Sequence, residues 1–282
     1  LTLVTCLAAC WGDGAPAQTG DDAAVSEAAL RVGIPAFGEP LAFRGPDNAP
    51  RGLLVDLWRL AEADLGRLDI ELCGTPGDCL ADLEAQVLDL AGPLGVDGND
   101  AVRYSQPVLA LPFAAKTLDL GARDARALHR ARVALLDPFA EPGAPTAGGA
   151  CSRRECASID RWGPASITVV PDAAAAVGDD TDVLVGPRAL LLRASGDGAS
   201  PARLFTLWRH WQYLAARTAD TGRLEAAEAA MRRIDVDAVA TLDGFARAFG
   251  GVGEFSAIHD VPRLSHADKQ FLDRHPTVYL GA

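Results

Sequence analysis

Polar side chains that can bind a ligand follow an apolar run in the first half of the chain. Asp97, Asn99 and Asp100 come directly after the predicted strand LAGPLGV, and Arg103 and Ser105 follow a few residues later. Carboxylate, amide and hydroxyl groups in this position can bind amines and hydroxyls, and Arg103 can bind an anionic group. The alternatives are structural: Asp-Gly-Asn-Asp suits a turn, Arg103 a surface salt bridge, and Ser105 a cap.

Two phenylalanines, Phe37 and Phe43, add apolar candidates to this polar set. They lie in the turn-rich segment AFGEPLAFRGPDNAPRG, which follows the predicted strand LRVGI. Aromatic side chains in such loops line many ligand pockets, but apolar residues on loops also pack into a core or under a lid. Both phenylalanines are therefore candidate ligand contacts, with packing as the equal alternative.

Catalytic and metal-binding patterns are missing from the sequence. The five histidines, at positions 129, 210, 259, 266 and 275, have no metal-ligand spacing and no nearby Cys or Ser partner. The motifs G-x-S-x-G, G-x-G-x-x-G, H-E-x-x-H and the P-loop do not occur. A dehydratase would need an acid or base, for which Glu39 and Asp97 are the candidates. We therefore expect a binding protein without a metal or cofactor rather than an enzyme.

Two close cysteine pairs predict disulfide bonds. Cys73 and Cys79 flank GTPGD, and Cys151 and Cys156 flank SRRE. A zinc site would favour C-x2-C spacing or neighbouring histidines, which neither pair has. Structural disulfides are the favoured interpretation and free thiols the alternative, and disulfides would imply oxidising surroundings.

The remaining cysteines lie at the start of the chain, in LTLVTCLAAC. The last four residues resemble a bacterial lipobox, in which Cys10 would carry a lipid after cleavage of a signal peptide. An ordinary secretory signal or a Cys6–Cys10 disulfide are the alternatives. The next residues, WGDGAPAQTGDDAA, have the composition of a flexible tether. Residues 1–28 are thus predicted to be a signal-peptide remnant and tether, which places the protein in the periplasm or at the cell surface.

Composition excludes several functional classes. The 282-residue chain is 49% hydrophobic and 23% charged, as expected for a folded globular protein. Its formal net charge of −12 disfavours binding to nucleic acid or to anionic membrane surfaces, because both require clustered Lys and Arg. The sequence contains no uninterrupted apolar run of bilayer-spanning length. Contact with a membrane is therefore expected only through a lipid anchor or a missing C-terminal segment.

The order of strand and helix patterns predicts an open α/β sheet. LRVGI, LDIEL and LAGPLGV have strand patterns, and LLVDLWRLAEADLG and CLADLEAQVLDL between them have helical spacing. Strands joined by crossover helices pair in parallel, and the loops at their carboxyl ends form a binding crevice. A smaller α/β unit begins near position 131 with ARVALLDPF, ASITVV and TDVLVGP. ARLFTLWRHWQYLAART then predicts one or two strands, and GRLEAAEAAMRRI and VDAVATLDGFARAFGG predict two helices.

These phrases together resemble the type-3 extracellular solute-binding proteins and the Venus-flytrap sensor domains of hybrid histidine kinases. The resemblance covers about residues 29–250 and rests on the order of LRVGI, PLAF, GLLVDL, YSQP, TDVLV and the returning helix pair. It implies a two-lobed, periplasmic-binding-protein-like (type II) α/β fold with two crossover hinge strands. Lobe 1 would take residues 29–116, lobe 2 residues 117–200, and residues 201–251 would return to lobe 1. The hinge candidates are Pro112–Asp119 and Ala199–Leu207.

The chain departs from the family at the positions that bind amino acids. The Arg that holds the α-carboxylate corresponds to Gly98, and the Asp that receives the α-ammonium corresponds to Gly186 or Pro187. A buried carboxylate without a paired cation is costly, so we expect free α-amino acids to bind poorly. A polar or cationic organic solute, or no small ligand, fits better. Asp182, within the TDVLV phrase, completes the set of candidate ligand-binding residues.

The resemblance implies an extracytoplasmic module that binds a small polar solute between its lobes. It would serve either as the receptor of an ABC permease or as the input domain of a sensor kinase. The tail FLDRHPTVYLGA, within residues 252–282, resembles a linker and the first strand of a further module, which favours a sensor. The lipobox favours a freestanding receptor. A degenerate flytrap module in protein–protein signalling and a dehydratase-like enzyme are the alternative functions.

Overall fold

Two sets of parallel strands flank a pair of long antiparallel strands. The computed structural model describes residues 29–96, 100–117, 125–139, 154–172, 181–193, 204–242, 248 and 263–274. The strands are β1 (Leu30–Pro35), β2 (Phe43–Arg44), β3 (Pro50–Arg51), β4 (Leu68–Cys73), β5 (Leu90–Leu94), β6 (Val102–Tyr104), β7 (Leu109–Thr117), β8 (Arg132–Leu136), β9 (Ser166–Val170), β10 (Val183–Pro187) and β11 (Leu204–Arg217). The helices are α1 (Leu53–Leu65), α2 (Pro76–Glu84), α3 (Arg154–Asp160), α4 (Arg188–Arg193), α5 (Thr221–Arg233), α6 (Val236–Thr241) and α7 (His266–Arg274).

Hydrogen bonding runs through the main sheet in the order β4-β1-β5-β11-β7-β10-β8-β9, with β6 paired to β11. We call β1, β4 and β5 with their helices lobe 1, and β8, β9 and β10 with theirs lobe 2. The strands within each of these sets are parallel. The crossover strands β7 and β11 are antiparallel to each other and join the two lobes. This confirms the predicted two-lobed α/β fold with two crossover strands. The predicted hinge ranges overlap β7 and the beginning of β11.

Helix α1 covers one face of lobe 1 because its apolar residues recur at helical spacing. The buried stripe consists of Leu53, Leu54, Val55, Leu57, Trp58 and Ala61. The indole Nε1 of Trp58 donates a hydrogen bond to the Gly92 carbonyl in β5 at 2.8 Å, which fixes the helix on the sheet. Gly52 precedes the helix with φ 114°, and a Cβ there would lie 2.5 Å from the Leu41 carbonyl oxygen. The start of α1 therefore requires glycine.

Helix α2 begins earlier than the sequence pattern predicted. The Thr75 side chain accepts from the Asp78 amide and the Asp78 side chain accepts from the Thr75 amide, which is a capping box, and Pro76 occupies the first turn. Cys79 therefore lies on the helix, and its disulfide to Cys73 ties the helix to the end of β4, with a Cα–Cα distance of 5.3 Å. The predicted Cys73–Cys79 bond is confirmed.

Of the second predicted disulfide, Cys151–Cys156, the structure describes only Cys156. Cys156 lies in α3, is 2% exposed and is disulfide-bonded. Cys151 lies outside the described residues, so its pairing with Cys156 stays a prediction. Lobe 2 also contains α4, directly after β10, which sequence patterns did not predict. The segment predicted as one or two strands is a single strand of 14 residues, β11.

The two ends of the chain are described only in part. Residues 1–28, including Cys10, lie outside the described residues, so the lipobox and tether stay predictions. Near the other end, α7 packs on lobe 1, where the buried Lys269 amine donates to the Tyr104 carbonyl at 2.8 Å. No helix in the described part of the chain is both long enough and apolar enough to span a membrane. The predicted lobe boundaries and the proposed further module after residue 252 also stay predictions.

Candidate ligand-binding cleft

A cavity of about 350 Å³ lies between the two lobes, above the crossover strands. Lobe 1 contributes the segments that follow β1, β4 and β5, and lobe 2 contributes the carboxyl ends of β8 and β10 and the start of α3. The apolar residues of its described lining are Phe37, Pro76, Gly95, Leu111, Phe113, Leu135, Leu136, Pro138, Phe139 and Pro187. The polar residues are Asp137, Glu155, His210 and Gln212. The cleft thus forms where the carboxyl ends of both parallel sets meet, as open α/β sheets predict.

The floor of the cleft is aromatic. Phe113 of β7 stacks on Trp208 of β11 with ring centroids 5.5 Å apart, and its ring lies 4.5 Å from the ring of His210. A register shift in β11 between Thr206 and Trp208 interrupts the pairing with β7 at this place. His210 is 5% exposed. The crossover strands therefore do two things: they connect the lobes and they supply a flat apolar surface beneath the cavity.

Gln212 is a polar residue of the floor whose side-chain oxygen lacks a hydrogen-bond partner. Its side chain lines the cavity, the residue is 6% exposed, and its Oε1 atom accepts no hydrogen bond in the described structure. Buried polar atoms in native proteins are almost always hydrogen-bonded, so an exception at a cavity wall calls for an explanation. A ligand with an N–H or O–H group would provide the missing donor.

The wall of lobe 2 carries two carboxylates. Asp137 directly follows β8, and its Oδ1 atom accepts from the Phe139 amide at 2.8 Å, which fixes the turn that presents it. Glu155 lies in the first turn of α3. The described lining contains no Lys or Arg.

The lobes touch at one side of the cleft. Phe37 of lobe 1 packs edge-on against Phe139 of lobe 2 with ring centroids 5.1 Å apart. Beside this contact, the Glu39 carboxylate forms an ion pair with Arg193 at the end of α4, and both side chains are about half exposed. Glu39, one of the acids considered for a dehydratase, is thus engaged between the lobes and is not part of the described lining.

The structure places Phe37 in the cleft and Phe43 outside the described lining. Phe37 is 7% exposed and contacts both the cavity and Phe139. Phe43 lies on β2, which pairs with β3 in a small hairpin. Pocket-lining by Phe37 agrees with the sequence interpretation, and its contact with a ligand stays a prediction.

Arg103 and Ser105 lie in lobe 1 and are not part of the described cleft lining. Arg103 lies in β6 between the buried Val102 and Tyr104, so strand alternation turns it to the exposed face. Ser105 is 3% exposed, accepts from the Leu214 amide at 2.9 Å and donates to the Gln106 carbonyl at 2.6 Å. Ser105 therefore holds β11 against the segment that leads into β7.

Asp182 lies at the wrong end of its strand for a cleft residue. It precedes β10, whose other end, Pro187, pairs with Phe113 in the floor. At about 3.3 Å per residue, Asp182 and Pro187 are roughly 16 Å apart. Asp182 instead accepts three hydrogen bonds from Arg132, one from its backbone amide and two from its guanidinium. These bonds lower the pKa of Asp182 to about 2.

Asp97 and Asn99 lie outside the described residues, and their role in binding stays a prediction. The polar residues of the described cleft were missed, although the sequence contained a signal for them. Asp137 follows an apolar strand in the same way as Asp97, and His210 and Gln212 alternate within one strand. Among the described residues, no group of three or more His, Cys, Asp or Glu is placed to hold a metal ion.

No family model and no curated protein matches the chain. Among solved structures, a double mutant of the BvgS VFT2 domain of Bordetella pertussis is 16% identical, with a TM-score of 0.58 over 78% of this chain and 93% of that one. The GluR0 ligand-binding core in complex with L-glutamate is 15% identical, with a TM-score of 0.58 over 80% of this chain and 100% of that one. The L-cystine solute receptor of Neisseria gonorrhoeae, in its unliganded open conformation, is 15% identical with a TM-score of 0.53, over 79% and 93%. These likenesses show the two-lobed fold of periplasmic binding proteins.

Proposed function

We propose that this chain binds a small solute between its two lobes and that binding holds the lobes closed. One observation carries the proposal: the cavity between the lobes has a buried acceptor, Gln212 Oε1, without a hydrogen-bond partner. A cavity of about 350 Å³ is within the range of small-molecule sites, which run from roughly 300 to 1,000 Å³. Because the cavity wall comes from both lobes, a solute that fills it contacts both at once.

The crossover strands link solute binding to a movement of the lobes. They are the strands that join the lobes in the described structure, and β7 is buried along its length except at Lys116. Rotation of one lobe against the other would open the cavity while leaving each parallel sheet intact. A solute that contacts both lobes binds the closed form better and shifts the equilibrium toward it.

The solute is not a free α-amino acid in this proposal. The family's Asp corresponds to Gly186 or Pro187, and the described lining has no Arg or Lys to pair with a carboxylate. Gly98, which replaces the family's Arg, lies outside the described residues. A carboxylate buried in this cleft would find no Lys or Arg among the described lining residues to pair with.

The protein acts outside the cytoplasm in this proposal, as a transport receptor for an ABC permease or as the input domain of a sensor kinase. The Cys73–Cys79 disulfide supports this location, because structural disulfides persist in oxidising compartments. An attached lipid at Cys10 would favour the receptor, and a further module after residue 252 would favour the sensor.

A thermal-shift screen of the purified protein against a broad library of small solutes tests the proposal. A solute present at about 100 times its Kd should raise the unfolding midpoint by about 5 °C or more, because it binds the folded state alone. The Gln212→Met variant keeps the size of the side chain and removes the acceptor, so it should lose most of this shift. The Gln86→Met variant, at an exposed position away from the cavity, is the matched control.

Two alternatives predict different results in the same screen. A flytrap module that works only through protein–protein contacts would give no shift with any solute in the library. A dehydratase-like enzyme would convert the solute, so that mass spectrometry of the incubated mixture would detect a product. Either result would overturn the proposed function.

A further inference from the structure

We infer that the solute of the cleft is an uncharged, flat ring compound that carries both a hydrogen-bond donor and a hydrogen-bond acceptor, a class that includes azoles and hydroxylated nitrogen heterocycles. The inference rests on the proposed function and specifies the ligand of the same site. Its basis is the floor of the cleft, where one buried acceptor and one buried donor have no partner and the surface around them is aromatic.

The two unpartnered atoms belong to Gln212 and Trp208 of β11. Gln212 Oε1 can only accept a hydrogen bond and the indole Nε1 of Trp208 can only donate one, and neither atom has a partner. The two residues are 6% and 5% exposed, respectively. Because buried polar atoms in native proteins are almost always hydrogen-bonded, this pair calls for a ligand that both donates and accepts.

Both residues lie on the face of the crossover strands that is turned toward the cavity. Phe113, His210 and Gln212 line the cavity, and Trp208 lies directly opposite Phe113 in the register of β7 and β11. Alternate residues of a strand face the same side, so Trp208 shares this face with His210 and Gln212. At about 3.3 Å per residue, the Cα atoms of Trp208 and Gln212 are roughly 13 Å apart, a span that the two side chains and a solute of one or two rings can fill.

The charges of the cleft favour an uncharged ligand. The described lining contains no Lys or Arg that could pair with an anion. Asp137 and Glu155 already interact with other groups of the protein, so neither is a free counter-charge for a cation. The two unpartnered atoms of the floor belong to uncharged side chains. Since a buried ion without a counter-charge is costly, a neutral solute loses less than an ion when it leaves water for this site.

The apolar part of the cleft selects a flat body. Phe113 and Trp208 stack with an interplanar angle of 15°, and the Phe37–Phe139 pair closes one side of the cleft. Aromatic faces stabilise flat rings by offset stacking. An open-chain polar solute, such as a polyol, could bond to the two unpartnered atoms but would leave the aromatic surface without a matching contact.

The experiment uses a panel of ring compounds on the purified wild-type chain, measured by isothermal titration calorimetry. Each triplet consists of a complete compound with donor and acceptor, a compound without the acceptor and a compound without the donor. Benzimidazole, indole and 1-methylbenzimidazole form one triplet; 6-hydroxyquinoline, 2-naphthol and 6-methoxyquinoline form a second, with donor and acceptor farther apart. We expect the complete compound of at least one triplet to bind about tenfold or more tightly than its two partners, because each missing group leaves a buried atom unpaired. The ions 2-naphthoate and 2-naphthylmethylammonium should also bind more weakly than this compound.

Variants then assign each hydrogen bond to a residue. Gln212→Met removes the acceptor and keeps the length of the side chain, so loss of the ligand's donor should change the affinity by no more than about twofold. Trp208→Phe removes the N–H and keeps a ring against Phe113, so loss of the ligand's acceptor should have an equally small effect. Trp211→Phe, on the opposite face of the same strand, is the matched control and should keep both differences. The comparison of compounds on wild-type protein needs no variant, so it decides the matter even where a variant fails to fold.

The outcomes separate the two claims. The inference is wrong, while solute binding stands, if an ion binds more tightly than both complete compounds or if removal of donor or acceptor leaves the affinity unchanged. It is also wrong if the differences between compounds persist in both cleft variants, or if neither triplet binds although the broad library contains a binder. If neither the panel nor the broad library contains a binder, the proposed function itself fails.

Discussion

Asp182 shows how one residue can match a family phrase and still have a local role. Its carboxylate accepts from the Arg132 amide at 2.8 Å and from the Arg132 guanidinium at 2.8 and 3.1 Å, which joins the beginnings of β8 and β10. Both side chains are more than 40% exposed, at 42% and 43%. Pairs with this exposure contribute modestly to stability because water screens the charges.

The low pKa of Asp182 predicts a pH dependence with a definite sign. Arg132 lowers the pKa to about 2 in the folded state, whereas an unfolded Asp has a pKa of about 3.9. The stabilisation is therefore complete above pH 4 and is lost as the pH falls toward 2. We expect Asp182→Asn to lower the free energy of unfolding at pH 7 by about 1 kcal/mol or less. Urea unfolding of both proteins at pH 7 and at acid pH measures this difference. If the difference in unfolding free energy between the two proteins stays constant or grows at low pH, the stabilising role of the Asp182–Arg132 pair is contradicted.

For single residues, the sequence predicted the kinds of side chain that line the cleft better than it predicted which residues supply them. Phe37 lies in the cleft as its loop position suggested, because a loop after a parallel strand must emerge at the sheet edge that forms the crevice. Arg103 does not line the described cleft because strand alternation in β6 turns it to the exposed face, and Ser105 does not because its hydroxyl is bonded to the backbone of Leu214 and Gln106. Side-chain direction in a strand three residues long depends on its pairing with β11, which no local pattern reveals.

The docking of α7 on lobe 1 includes a small set of polar contacts. The Gln106 amide group bonds both backbone groups of Leu264, donating to the carbonyl at 3.1 Å and accepting from the amide at 2.6 Å. The Lys269 amine is buried against the Tyr104 carbonyl. Burial lowers the pKa of Lys269, with Glu228 opposing and Arg103 adding to the effect. The apolar side chain of Phe271 stays 54% exposed, so apolar packing of α7 is partial.

Replacing Gln106 with Ala should release α7 without unfolding lobe 1. The change removes both contacts to Leu264, and losses of this kind cost about 1–3 kcal/mol in total. Amide hydrogen exchange should speed up in residues 263–274 by about tenfold or more, while exchange in β1 and β4 stays as slow as in the wild type. Gln86→Ala, at an exposed site, is the control. Unchanged exchange in α7 would show that other contacts hold the helix.

Helices and strands were predicted well where apolar residues recur with a strong period, and less well at a helix N-terminus and at the crossover strand β11. The helical spacing of apolar residues predicted α1, and the alternation of apolar and polar residues predicted β4. The start of α2 lies before the predicted helical segment CLADLEAQVLDL, although Thr75-Pro76-Gly77-Asp78 contains a capping-box pattern. The sequence left open whether the β11 segment forms one strand or two, because it is rich in aromatic but poor in β-branched residues, and its pairing partners, β5, β6 and β7, are distant in sequence.

For the whole molecule, alternating strand and helix patterns predicted parallel sheets, but they could not predict two lobes. The two-lobed arrangement depends on β7 and β11, which connect the parallel strands of lobe 1 to those of lobe 2. The resemblance to the solute-binding proteins implied the two lobes. The polar lining of the cleft could not be predicted as a set, since Asp137, Glu155 and Gln212 come from three segments that only the tertiary fold brings together.

The most direct test of the central claim is the distance between the lobes with and without solute. Spin labels attached through unnatural amino acids at Glu71 on β4 and Asp160 on α3, both exposed, leave the cysteines intact. With the solute that gives the largest thermal shift, pulsed electron paramagnetic resonance should show a shorter and narrower distance distribution than without it. The Gln212→Met variant should stay at the solute-free distribution. An unchanged distribution in wild-type protein saturated with that solute would contradict closure around a ligand.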